Sequence, residues 1–335
     1  MTVRAVDAVV TGAGGFIGGH LVRALAAEGR SVRAVDVKPF DQWCQRTDHP
    51  GVESMVADVS LLPEAQRALQ GGAGEVYNLA ADMGGMGFIE NNKAACMLSV
   101  LTSTHVLMAA HEAGVDRYFY SSSACVYAAD KQTDTQVTAL READAYPAMP
   151  EDGYGWEKLF SERLARHFHE DFGMATRVAR FHNVYGPWGT WDGGREKAPA
   201  AACRKMAEAV LDGNPEIEIW GDGEQTRSFT YIDDCIDGVL RLTRSEFGEP
   251  VNIGSSELVS INQLYALVAD IAGIEPTWVH VPGPLGVRGR NSDNTLVQSV
   301  LGWQPSTSLR AGMTETYGWV LEQVKARRAG TAYSN

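Results

Sequence analysis

Short apolar, β-branched runs alternate with amphipathic stretches along the first half of the chain. Strands are predicted at 7–11, 31–35, 52–56, 75–79 and 115–120, with helices at 20–28, 63–70 and about 91–113 between them. A polar loop precedes a further helix at 154–172 and a strand at 175–181. Short apolar runs bounded by turn residues read as strands buried on both faces, and stripes of period 3.6 read as the helices that cover them. This alternation predicts an α/β fold on a parallel, doubly wound sheet. From Asn183 the texture changes to a Gly- and Trp-rich ordered loop, a helix at 199–211, a strand at 217–220, a Gly-rich turn and the basic loop Arg288-Gly289-Arg290. The expected organisation is a first domain over 1–182, to which segments near 227–255 return, a smaller C-terminal substrate-binding cap over 183–325, and a polar tail over 326–335 that frays from Arg327.

The composition narrows the function. A chain of 335 residues, 44% hydrophobic and 21% charged, is an ordinary globular protein with a large core. Its net charge of −13 argues against nucleic-acid and anionic-membrane partners, while leaving room for an anion held in a local basic pocket. No apolar run reads as a membrane span and no signal pattern opens the chain. Five cysteines without a Cys-x-x-Cys pair argue against a disulfide framework and structural zinc, and imply a reduced, cytoplasmic protein. The eight histidines show no ligand spacing, so no metal is expected.

The first strand runs into Gly12-Ala13-Gly14-Gly15-Phe16-Ile17-Gly18. Glycines at 12, 15 and 18 between a strand and a helix let the backbone approach a pyrophosphate, which the helix N-terminus holds through free N–H groups. Asp36, closing the second strand, is placed to accept hydrogen bonds from an adenosine ribose and repels a 2′-phosphate, which selects NAD over NADP. Asp58 is placed to meet the adenine amine, or else caps the helix that follows it. In this strand–helix–strand–Asp frame the loop predicts a Rossmann-type dinucleotide site.

A second constellation carries the chemistry. The strand ending in Ser121-Ser122-Ser123-Ala124-Cys125 is followed by Tyr154-Gly155-Trp156-Glu157-Lys158, whose Tyr and Lys share one helix face. The Lys158 ammonium and a nicotinamide's positive charge are expected to lower the Tyr154 pKa, so that the phenolate takes an alcohol's proton while Ser123 holds the hydroxyl. Cys125 is not needed for hydride transfer. Taken by residue type alone, it is either a buried packing thiol or a proton carrier.

The glycine loop, Asn78-Leu79-Ala80-Ala81, the Ser121-to-Tyr127 run and the Tyr154/Lys158 pair resemble the extended short-chain dehydrogenase/reductase family, whose members mostly modify nucleotide sugars. Longer stretches are similar to its branch that epimerises GDP-hexoses. These are Asp82-Met83-Gly84-Gly85-Met86-Gly87-Phe88, Arg180-Phe181-His182-Asn183, Arg195-Glu196-Lys197-Ala198-Pro199, Gln225-Thr226-Arg227 and Gly286-Val287-Arg288-Gly289-Arg290. The resemblance implies bound NAD, a GDP-sugar substrate and a homodimer formed through the helices near 91–113 and 154–172. It also implies that Gly84, Ser123, Ala124, Cys125, Asn183, Glu196, Lys197, Ala198, Gln225 and Thr226 meet the substrate, with Lys205, Arg227 and Arg290 taking its phosphates.

The implied chemistry is consistent with first principles. A ketone at C4 of a hexose acidifies the hydrogens on C3 and C5, and inverting either centre needs a base on one face and an acid on the other. A thiol and a buried lysine can both exchange protons near neutrality. Cys125 is expected beside the reactive carbon and Lys197 opposite it, with either serving as base. Cys44, Cys96, Cys203 and Cys235 are expected to be structural. Competing readings are another nucleotide-sugar 4-epimerase, dehydratase or decarboxylase, none of which needs Cys125 with Lys197, and a non-catalytic NAD-binding sensor.

Overall fold

The structure, a computed structural model, describes residues 4–331. The first half builds β1 (Val6–Thr11), α1 (Phe16–Ala27), β2 (Val32–Asp36), β3 (Val52–Val56), α2 (Leu62–Ala68), β4 (Ala73–Asn78), α3 (Met86–Asn91), α4 (Lys93–Glu112), β5 (Arg117–Ser123), α5 (Asp152–Phe172) and β6 (Ala175–Phe181). The second half adds β7 (Val184–Tyr185), α6 (Ala198–Asp212), β8 (Glu216–Trp220), β9 (Thr226–Ser228), β10 (Thr230–Tyr231), α7 (Ile232–Arg244), β11 (Val251–Ile253), β12 (Leu258–Ser260), α8 (Ile261–Ala272), β13 (Thr277–Val281), β14 (Gly289–Arg290), α9 (Thr295–Leu301) and α10 (Leu309–Arg328).

Seven strands form one sheet in the order β11-β6-β5-β4-β1-β2-β3, and every pairing in it is parallel. The order reverses between β1 and β4, and at such a switch point the strand C-termini open a crevice. Two apolar cores pack on opposite faces of the sheet, and α6, α8 and α10 enclose a third around Met206, Leu264 and Met313. α7 packs on α1, and β11 extends the sheet beside β6, so the chain crosses back to the sheet after α6.

Several elements differ from the sequence expectation for physical reasons. The single helix expected near 91–113 is two, α3 and α4, meeting at Asn92, whose backbone leaves helical geometry at φ −130° and ψ 40°. α10 continues through Arg327, which binds Asp192 and Glu208, so this part of the expected tail is anchored. Residues 332–335 of that tail lie outside the described residues.

α4 is long and apolar enough to cross a membrane by length and composition alone, which the sequence reading passed over. In the fold one face packs against α2 and α5, and the other leaves Met97 and Leu101 exposed. The end of β5 is braced from behind by a buried polar cluster. Glu162 on α5 accepts from the Ser122 hydroxyl and from two nitrogens of Arg180, at 2.9 and 2.7 Å for the latter. Removing one member of such a buried pair costs about 3–5 kcal/mol because the other charge is stranded.

Candidate active site

The strand end is where the site is built. β5 stops at Ser123, whose hydroxyl accepts from the Cys125 backbone N–H at 3.2 Å and caps a single 3-10 turn over Ala124–Val126. Cys125 therefore sits on a turn rather than on the strand, and the turn carries the thiol to the cavity wall. α5 comes in against this turn so closely that a Cβ on Gly155 would stand 2.3 Å from the Cys125 carbonyl oxygen. Tyr154, Cys125, Cys96 and Ile89 share one small buried cluster.

Lys158 is fully buried, with its Nζ 5.6 Å from the centre of the Tyr154 ring and 4.9 Å from that of Tyr120. Burial pushes the Tyr154 phenol well above its ordinary value, the charges of Cys125 and Glu157 add to this, and the Ser123 hydroxyl opposes it. The free chain thus departs from the sequence expectation of a lowered phenol. Lys158 lies over the ring, and its charge is shared with Glu157, 3.5 Å away.

Sequence reasoning missed Glu157. It is buried, and its Oε1 accepts from Tyr120, Ser103 and Ser161 at 3.0, 2.9 and 3.1 Å. A carboxylate next to the Lys of the motif was the available signal, since a fully buried Glu is rare unless it is paired.

The thiol has a charged neighbour from the far end of the chain. Arg290, itself buried, places Nη1 3.6 Å from the Cys125 sulfur, Nη2 2.6 Å from Glu151 and Nε 2.6 Å from Gln132. Burial pushes the Cys125 thiol up, Glu151 adds to this, and Arg290 opposes it. Arg290 reaches the cavity wall already engaged with these three partners, whereas the sequence reading had it free for a phosphate. Nothing in the sequence pairs Glu151 with a residue so distant.

One continuous cavity of about 890 Å³ runs from the glycine loop to α6 and β9. Its first end is lined by Gly12, Gly15, Phe16, Ile17, Gly18, Asp36 and Asp58, together with Cys44, and its middle by Ser123, Ala124, Cys125, Tyr154 and Lys158. Gly84, Asn183, Glu196, Lys197, Ala198, Lys205, Gln225, Arg227 and Arg290 line the remainder. Thr226 is the exception. Side chains alternate along β9, so Gln225 and Arg227 face the cavity while the Thr226 hydroxyl turns outward and donates to the Thr135 carbonyl at 2.6 Å.

Lys197 stands at the N-cap position of α6 with no side-chain cap, and burial holds its ammonium below the ordinary lysine range, with the charge of Cys125 acting in the opposite direction. The Lys205 ammonium donates to the Glu218 carbonyl at 2.6 Å. Burial, reinforced by nearby Arg290, lowers Arg227 to about 10.

The first end of the cavity fits a dinucleotide. No side chain caps α1, so the N–H groups of its first turn are free to meet an anion. A Cβ on Gly18 would stand 2.1 Å from the Gly12 carbonyl oxygen, so strand and helix approach this closely only with glycine there. The Asp36 carboxylate accepts from the N–H groups of Gly14 and Lys38 at 2.9 and 3.0 Å and keeps its remaining acceptor sites on the cavity wall. Asp58 accepts from the Ser60 N–H and hydroxyl at 3.0 and 2.6 Å, so it also serves the turn before α2. Among the described residues no group of His, Cys, Asp and Glu side chains is arranged to hold a metal ion.

Comparison with known proteins agrees with this geometry. The profile of the NAD dependent epimerase/dehydratase family matches residues 8–254. The chain is 49% identical over 320 residues to GDP-mannose 3,5-epimerase 1 of Oryza sativa subsp. japonica, covering 95% of this chain and 82% of that protein. It is 48% identical over 321 residues to GDP-mannose 3,5-epimerase of Arabidopsis thaliana, covering 96% and 83%. Among solved structures, MoeE5 in complex with UDP-glucuronic acid and NAD superposes with a TM-score of 0.78 at 30% identity, over 96% of this chain and 99% of that one.

Proposed function

Because the chain belongs to the NAD dependent epimerase/dehydratase family, we propose that it inverts C3 and C5 of GDP-mannose to give GDP-L-galactose, with GDP-L-gulose as the product inverted at C5 alone. NAD, when bound along the glycine loop and Asp36, supplies reversible hydride transfer at C4. Tyr154 takes the proton of the C4 hydroxyl and later returns it, Ser123 holds that hydroxyl, and Lys158 keeps a compensating charge beside the ring. With C4 as a ketone, Cys125 and Lys197 exchange the protons on C3 and C5 from opposite sides. Lys205 and Arg227 meet the diphosphate, and Arg290 serves the substrate while steadying the thiol.

The observation that carries this reading is the meeting of Cys125 and Lys197, from a strand end and a cap helix, in one cavity with Tyr154. A 4-epimerase needs NAD and the Ser123/Tyr154/Lys158 set, but not Cys125 with Lys197. The test is NMR of the products from GDP-mannose and purified protein. Sugars inverted at C3 and C5 are expected; inversion of a UDP-sugar at C4, with GDP-mannose untouched, would refute the assignment.

We place it in the reduced cytoplasm, in keeping with cysteines that form no disulfide among the described residues, as a homodimer. Met97 and Leu101 on α4 and Trp156 and Phe160 on α5 form an exposed apolar stripe across two helices packed side by side. The double variant Trp156→Asp/Phe160→Asp is expected to halve the mass measured by light scattering at micromolar concentration. An unchanged mass would show that these helices are not the interface.

A further inference from the structure

The Met-Gly run after β4 and the Arg195-Glu196-Lys197 segment lie far apart in the sequence and close together in the fold. The Gly85 N–H donates to the Arg195 carbonyl at 2.9 Å, and a Cβ on Gly85 would stand 2.5 Å from the Glu196 carbonyl oxygen. The Arg195 side chain completes the contact. Its Nη1 lies 2.8 Å from Asp82, and its guanidinium stacks 3.8 Å above the Phe88 ring. On the other side, Glu196 accepts from Arg204 on α6 at 3.0 Å. Each of the two residues before Lys197 is thus tied to a different element.

We propose that Arg195 is a positioning residue for Lys197, and that the Met-Gly run is the seat that receives it. This inference rests on the proton-exchange role given to Lys197 above. The Arg195–Asp82 pair is half exposed on both sides, so it adds little to stability, as surface pairs generally do. Its effect is geometric. Backbone hydrogen bond, ring stacking and ion pair together fix the loop across the cavity, and with it the reach of the lysine toward the sugar. The pair suits Arg and not Lys, because only a planar guanidinium stacks on Phe88 while pairing with Asp82.

The test compares wild type, Lys197→Ala, Arg195→Ala and Arg195→Lys with GDP-mannose and NAD in deuterated water. Ketone formation is followed by NADH absorbance and exchange by deuterium at C3 and C5. Arg195→Ala is expected to lose about 100-fold in exchange, the cost of a small misplacement, with ketone formation retained. Arg195→Lys should fall between it and wild type. Wild-type exchange in Arg195→Ala, or exchange and ketone formation falling by the same factor, overturns the inference while the site reading stands, provided Lys197→Ala has lost exchange. Full exchange in Lys197→Ala overturns the reading beneath it, and the inference with it.

Discussion

Cys125→Ala is expected to lower deuterium exchange at C3 and C5 by about 10²- to 10⁴-fold, the usual worth of a positioned acid or base, while GDP-mannose is still oxidised at C4. The two steps separate because they use different atoms. Oxidation needs the Tyr154 phenol and the Ser123 hydroxyl, whereas exchange needs a proton carrier beside the ring. The variant should therefore accumulate ketone and NADH, visible by absorbance, with little label entering the sugar. Normal epimerisation by Cys125→Ala would remove the thiol from the mechanism.

The pH dependence of exchange follows from burial. Cys125 is raised by burial and Glu151 against the opposing Arg290, and Lys197 is lowered by burial. Whichever group acts as base must first lose its proton, so wild-type exchange is expected to rise between about pH 6 and 9. A rate that falls across that range would contradict both assignments.

Tyr154→Phe is expected to abolish both halves of the reaction, by about 10²- to 10⁴-fold in C4 oxidation. No ketone means no acidified neighbouring hydrogen, so exchange falls with it. The two variants are told apart by NADH: Cys125→Ala builds it up and Tyr154→Phe does not. A Tyr154→Phe protein that still exchanged C3 and C5 hydrogens would mean that those protons leave without a ketone. Phe preserves the ring that packs against Lys158 and loses only the hydroxyl, so gross unfolding is not expected from the change.

The fold was legible because its signals are local. Alternating runs such as those of β1, α1 and β2, with the glycines between them, specify a parallel sheet from short windows of sequence. Asp36 could be read as a cavity residue because it ends a strand. What the sequence hid is of three kinds. Strand alternation sends Thr226 outward between Gln225 and Arg227, and a motif read as a block gives each of its members the same face. The engagement of Arg290 with Cys125, Glu151 and Gln132 is a long-range pairing without a local pattern.

Burial is the third kind, because it changes chemistry that residue type alone suggests. A Lys beside a Tyr reads as a lowered phenol, yet the enclosed Tyr154 and the Glu157 that shares Lys158 act the other way. The capped 3-10 turn belongs with these. Ser-Ala-Cys spacing gave the residues of the strand end, but only the Ser123 cap shows how the thiol leaves the strand to reach the cavity.

On the proposed mechanism, a transient ketone lets one strand end both oxidise a carbon and exchange protons on its neighbours. Incubating the wild-type protein with GDP-mannose and NAD in deuterated water, and locating the label by NMR, tests it most directly. Deuterium is expected at C3 and C5 and not at C4, with no net conversion of NAD to NADH. Deuterium absent from C3 and C5, or products inverted at C4 instead, would contradict it.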